Sequence, residues 1–144
     1  MNYSQAMQGL GSNEVTGSRF ERGKRVAAWF CIGVIGIISL LPAAEVAPLR
    51  TSMGGHGEHL LTYAVTTLIT AIAYLDQSRF KIGGSLILYA AALEFLQRYS
   101  PGRLSSLEDL AFSTAGIMLG LAIVHLIQQV RSRQASGGRS PTGT

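Results

Sequence analysis

Charged residues are scarce in this chain and unevenly placed. Lys, Arg, Asp and Glu make up 14% of the 144 residues, against about 25% in ordinary soluble domains. Those present sit at the ends and in short breaks between long apolar runs, the pattern of a membrane-spanning chain. Cysteine is nearly absent as well. Cys31 alone allows no intramolecular disulfide, and no metal-ligand cysteine spacing exists. It lies inside an apolar run and reads as a small buried hydrophobe. Nothing in the chain calls for a metal or another cofactor. Internal repeats and a second domain are also missing. A pI near 9.6 would suit a nucleic-acid binder. The basic residues flank hydrophobic spans and form no stripe on a soluble domain, so nucleic acid is excluded as a partner.

What is present divides into five polar segments and four apolar runs. Residues 1–25 are rich in Gly, Ser and Asn and end in Arg19, Arg22, Lys24 and Arg25, which predicts a flexible basic tail. The first apolar run is Val26 to Ala44, close to the ~20 residues needed to cross hydrocarbon. A basic flank before an apolar run also describes a secretory leader. This run exceeds a typical leader core, and Leu41-Pro42-Ala43-Ala44-Glu45 is a poor cleavage site, so a retained helix is expected. A Gly-rich loop from Glu45 to Gly57 follows. The second span runs from about Glu58 to Leu75 and closes in a polar turn with Asp76, Arg79 and Lys81. The third runs from Ile82 to about Tyr99. Pro101 and Gly102 then break the chain. Ser105 and Ser106 each precede an acid by three residues, the spacing of a capping box, so either can start a fourth helix reaching about Val130. Residues 131–144 form a polar tail expected to be disordered. The fold expectation is therefore all-α: a four-transmembrane-helix bundle over residues 26–130.

Four spans put both termini on one side, and the distribution of Lys and Arg decides which. With cytoplasmic termini, nine basic residues lie inside and three outside, the three being Arg50, Arg98 and Arg103. That favours a multi-pass inner-membrane protein with both termini cytoplasmic. This topology gathers the unusual polar residues. His59 and Tyr63 open the second span, one helical turn apart. Glu94, Gln97 and Arg98 end the third. Arg103 lies in the next loop, and Asp109 is in the first turn of the fourth. His59, Tyr63, Glu94, Gln97, Arg103 and Asp109 thus share one depth near the extracytoplasmic boundary.

A carboxylate in a membrane helix costs about 2.5–3.5 kcal/mol at the centre on insertion scales, so Glu94 marks a site or a buried pair. A His and a Glu close together suit acid–base work. Arg103 suits a bidentate grip on phosphate or carboxylate. The same groups also serve as glue between helices, and Asp109 can act simply as a helix N-terminal acid. Ser113, Gly116 and Gly120 follow Asp109 on one helical stripe. Gly116 to Gly120 is a GxxxG match that permits close backbone approach. The expected use is packing inside the monomer, with homo-oligomerisation as the alternative. His56, in the Gly-rich loop, and His125, near the inner end of the fourth span, read as ordinary loop and interface residues. Tyr74 reads as an interfacial anchor.

Glu94-Phe-Leu-Gln97, Pro101-Gly-Arg103, Ser106, Asp109, Gly116 and Gly120, preceded by His59-x-x-x-Tyr63, resemble the VanZ-like family of small bacterial membrane proteins. The resemblance covers about residues 26–128. The chain departs from it at Gly55-His56, where many members have Asp-Lys, and at Ser113, where many have Asn. It implies a cell-envelope role, and the family's namesake is associated with low-level resistance to the glycopeptide teicoplanin. The expected function is a polar pocket at the outer face that engages an anionic envelope molecule, whether a lipid, a lipid-linked or cell-wall intermediate, or a glycopeptide-related molecule. Two other classes stay open. One is an intramembrane acid–base enzyme using Glu94 and His59. The other is a structural or assembly subunit whose polar cluster is only glue.

Overall fold

A computed structural model describes residues 3–49, 52 and 54–137, with side chains described for 18–49, 52 and 54–135. Among the described residues every regular element is helical. Helix α1 spans Tyr3–Leu40, α2 Ala43–Val46, α3 Gly54–Ala73, α4 Arg79–Leu96 and α5 Leu107–Gly137, with 3-10 turns at Ala47–Leu49 and Gln97–Tyr99.

Local chemistry sets these boundaries. Proline restricts the residue before it, so α1 stops short of Pro42. Gly54 opens α3 at φ 75 and Gly102 sits in the α4–α5 turn at φ 72, both in the left-handed region that glycine enters without strain. Ser106 caps α5, its Oγ accepting from the Glu108 N–H at 3.1 Å. The reciprocal half of a capping box is not formed there.

Several expected boundaries fall elsewhere: α1 ends at Leu40 rather than Ala44, and the expected loop from Glu45 to Gly57 holds the end of α2, a 3-10 turn and the first residues of α3, which starts at Gly54. The basic tail was expected to end at residue 25, yet α1 passes through Arg19–Arg25 without a break. The polar C-terminal segment is helical as far as Gly137. The remaining C-terminal residues, Arg139 included, lie outside the described residues, as does Arg50.

The helices alternate in direction. α3 and α5 run parallel and form the most extensive pairing, since His59 meets Ser113, Leu60 meets Gly116 and Ala64 meets Gly120. A Cβ on Gly116 would strike the Leu60 carbonyl, and one on Gly120 would lie 2.6 Å from the Ala64 oxygen. The stripe of small residues is therefore filled by the backbone of α3. α4 runs antiparallel to α5, with Gly83 against Leu121 and Ile117. α1 lies across α3 and α4. Tyr89 donates to the Ile32 carbonyl at 2.7 Å, and Trp29 donates to the Tyr74 hydroxyl at 2.9 Å. Tyr74 is thus a partner of α1. Ile35, Tyr63, Leu86, Leu93, Ile117 and Val124 form the centre of the core.

The outside of the bundle is apolar. Trp29, Phe30, Leu88 and Met118 are each more than half exposed. Among the described residues two helical segments are long and apolar enough to cross a membrane, Ser18–Leu40 and Leu107–Ala135. α3 and α4 fall where the second and third spans were expected. They are more polar, α3 with four Thr and three Gly, α4 with Arg79, Lys81 and Glu94.

Candidate functional site

Where α1 ends and α3 and α5 begin, the helices diverge around a cavity of about 610 Å³. Its walls come from the last turns of α1, the first half of α3 and the loop between α4 and α5. His59, Tyr63, Gln97, Arg103 and Asp109 all line it. Five of the six expected cluster residues therefore converge, because α3 and α5 both start at this end and α4 finishes there.

Glu94 is the exception. It is 6% exposed and sits behind the wall. Its Oε1 accepts the backbone N–H of Ser106, itself a lining residue. That bond ties the end of α4 to the residue that starts α5. A carboxylate accepting a backbone N–H makes a charge-assisted bond, stronger than a neutral one. His59 makes no hydrogen bond to Glu94. Its Nδ1 meets Ser113 Oγ at 3.1 Å, and Ser113 is 2% exposed. The expected acid–base pair is therefore two separately held groups.

Arg103 also differs from expectation. Its Nε donates to the Leu41 carbonyl at 3.2 Å and its Nη2 to the Ile38 carbonyl at 2.7 Å. Ser100 Oγ adds a bond to Leu40 O at 2.8 Å, and Ala43 N–H donates to Pro101 O at 3.1 Å. The last carbonyls of α1 have no partners within the helix, and a cation there complements the helix dipole. Two guanidinium N–H groups thus cap a helix, where the sequence suggested a bidentate grip on an anion. Arg98 turns aside, its guanidinium 5.4 Å from the Phe95 ring centre.

His56 is more than an ordinary loop residue. Its Nδ1 lies 3.0 Å from Asp109 Oδ1 and its Nε2 3.4 Å from Glu108 Oε2. Its ring stacks on Phe112 with centroids 4.8 Å apart. It fastens the first turn of α3 to the first turn of α5. His125 is exposed, pairs with Gln129 at 2.8 Å, and does not line this cavity.

Sequence reasoning passed over Glu58, which also lines the cavity. Its signal was available: Gly55, Glu58, His59 and Thr62 are spaced three and four apart on one face of α3, and all four are lining residues. At the opposite end of the bundle Arg79 donates to Gln128 and, at 3.5 Å, to the Leu121 carbonyl. Among the described residues no group of three or more His, Cys, Asp or Glu could hold a metal ion.

Comparison of this chain with known protein families, with curated proteins and with solved structures returns no match.

Proposed function

We propose that this chain is a four-helix protein of the bacterial inner membrane, VanZ-like in its motifs, whose cavity binds an envelope amphiphile at the extracytoplasmic face. Both termini are cytoplasmic in this reading. Supporting it are two helices long and apolar enough to span a bilayer, the exposed apolar flanks of the bundle, and nine basic residues on the inner side against three on the outer. One observation carries the ligand reading. The cavity of about 610 Å³ falls within the roughly 300–1,000 Å³ of small-molecule sites. It joins an apolar wall from α1 to the polar residues of α3 and the α4–α5 loop. Such a space suits a lipid, or a lipid-linked cell-wall intermediate, better than a wholly polar metabolite.

The acid–base enzyme reading has less support, because Glu94 is held behind the wall and His59 is bonded elsewhere. The glue reading accounts for Glu94 and Arg103 and leaves the cavity unexplained.

The test is identification of lipids that remain on the purified protein, compared with a Leu61→Trp variant. Leu61 lines the cavity and is half-exposed on α3, so the indole fills space without replacing a core residue. Specific lipids on the parent that disappear from the variant support the proposal. Identical lipid profiles overturn it. A C-terminal reporter active only outside the cytoplasm overturns the topology.

A further inference from the structure

Gln97 and Tyr63 are the most deeply buried polar side chains of the cavity wall, 4% and 3% exposed. Among the described residues the Gln97 amide and the Tyr63 hydroxyl make no hydrogen bond. The third group with unused capacity is His59. Its Nδ1 is committed to Ser113 and its Nε2 makes no hydrogen bond among the described residues. Buried polar groups are almost always paired. Two buried side chains and the half-buried His59, all on one cavity wall, therefore describe what they are built to meet.

Valence narrows the chemistry. An amide offers two donors and a carbonyl acceptor, a phenol donates and accepts, and an imidazole nitrogen does one or the other. An ionised phosphate only accepts and would leave the Gln97 carbonyl unmet. An ammonium only donates and would leave the Gln97 NH₂ unmet. A hydroxyl does both, and several adjacent hydroxyls serve all three side chains. The charged groups at the rim have protein partners already. Asp109 meets His56, and Arg103 caps α1.

Water alone is a poor filling. A space of 610 Å³ would take about 20 waters at the liquid volume of roughly 30 Å³ each, most of them against apolar side chains. Ile38 and Leu61 line the cavity and are 37% and 49% exposed. The cavity is therefore open beside apolar side chains of α1 and α3.

We propose that the cavity receives the hydroxyl-bearing headgroup of a lipid, a glycerol or a sugar, hydrogen-bonded by Gln97, Tyr63 and His59, with its apolar chain leaving between α1 and α3. The proposal rests on the reading that the cavity takes an amphiphile and adds the class of its head.

The experiment reconstitutes the full chain in phosphatidylcholine nanodiscs. These carry equal minor amounts of phosphatidylglycerol, a glucosyl diacylglycerol, phosphatidylethanolamine and phosphatidic acid. Lipids retained on the released protein are counted by native mass spectrometry. The expected result is preferential retention of phosphatidylglycerol, the glucosyl lipid or both. The first alone identifies a glycerol head, the second alone a sugar. Tyr63→Phe, which removes one oxygen and keeps the ring, should lower that retention about threefold to tenfold, the value of one neutral hydrogen bond. Gln97→Leu should do at least as much. Equal retention of phosphatidic acid or phosphatidylethanolamine, or a Tyr63→Phe profile like the parent's, overturns the headgroup assignment and leaves the amphiphile reading standing. No enrichment of any probe over phosphatidylcholine, together with an unaltered profile in Leu61→Trp, overturns both.

Discussion

Replacing Gly116 by Ala tests the central seam of the fold. A Cβ there meets the Leu60 carbonyl and lies 3.1 Å from the Ala64 nitrogen. These are backbone atoms inside a helix and cannot rotate away. One turn on, a Gly120 Cβ would lie 2.6 Å from the Ala64 oxygen and 2.8 Å from Thr67 Cβ, where ordinary contact begins at 3.4 Å. Relief requires α3 and α5 to part by several tenths of an ångström. A gap of about 0.5–1 Å forfeits a quarter to a half of the dispersion well of each contact. Overpacking of this kind costs about 1–3 kcal/mol. Opposing it is the helix preference of Ala over Gly, about 1 kcal/mol. Gly33 supplies the control. It is exposed on α1 and a Cβ there meets nothing within 4 Å, so Gly33→Ala carries the helix gain alone. The gain is common to both variants, so Gly116→Ala should fall below Gly33→Ala by about 1–3 kcal/mol. Denaturant unfolding in mild detergent micelles, followed by tryptophan fluorescence, measures the difference. A Gly116→Ala variant as stable as Gly33→Ala would refute the backbone-against-backbone seam.

Three other substitutions probe the cavity end and the opposite turn. Arg103→Ala removes two charge-assisted bonds to α1 carbonyls and should cost about 1.5–3 kcal/mol in the same assay. An arginine serving only a ligand would leave stability unchanged. Glu94→Gln keeps an acceptor for the Ser106 N–H and should be mild. Glu94→Ala orphans that N–H, costs about 1–3 kcal/mol, and should speed tryptic cleavage at Arg103. Asp76, in the turn before α4, has its carboxyl held below the ordinary carboxylate range, chiefly by the Gln77 side-chain hydrogen bond. A carboxylate lowered on folding adds stability above its unfolded pKa and loses it as pH falls through the folded one. Gln77→Leu should raise the Asp76 titration observed by NMR and shrink the loss of stability on acidification.

The elements were legible where the sequence punctuates itself. Pro101 and Gly102 marked the α4–α5 turn, and the pair Ser105 and Ser106 marked the start of α5, whereas the first run was expected to reach Ala44 and α1 stops at Leu40. The convergence of His59, Tyr63, Gln97, Arg103 and Asp109 followed from counting spans, because alternation brings alternate helix ends together. Roles were harder to read than places. Arg103 looked like an anion ligand because nothing local announces the α1 carbonyls more than sixty residues earlier. Glu94 stayed open between a site and a buried pair because its partner is a backbone N–H, which every residue but proline carries and which sequence therefore never signals. His56 looked incidental because its partners, Glu108 and Asp109, lie on another helix. The continuation of α1 through Arg19–Arg25 was hidden by composition, since Gly, Ser and Asn favour loops only weakly.

Arg103 and Ser100 finish a helix that the ribosome released long before them. Their bonds to Ile38, Leu40 and Leu41 span 60 to 65 residues. At about 5–20 residues per second of synthesis, the end of α1 waits roughly 3–13 s for the groups that complete it. During that interval its last carbonyls face whatever surrounds the nascent chain. The first helix is therefore provisional until the last hairpin arrives, and a chain stopped before residue 100 would carry an unfinished α1.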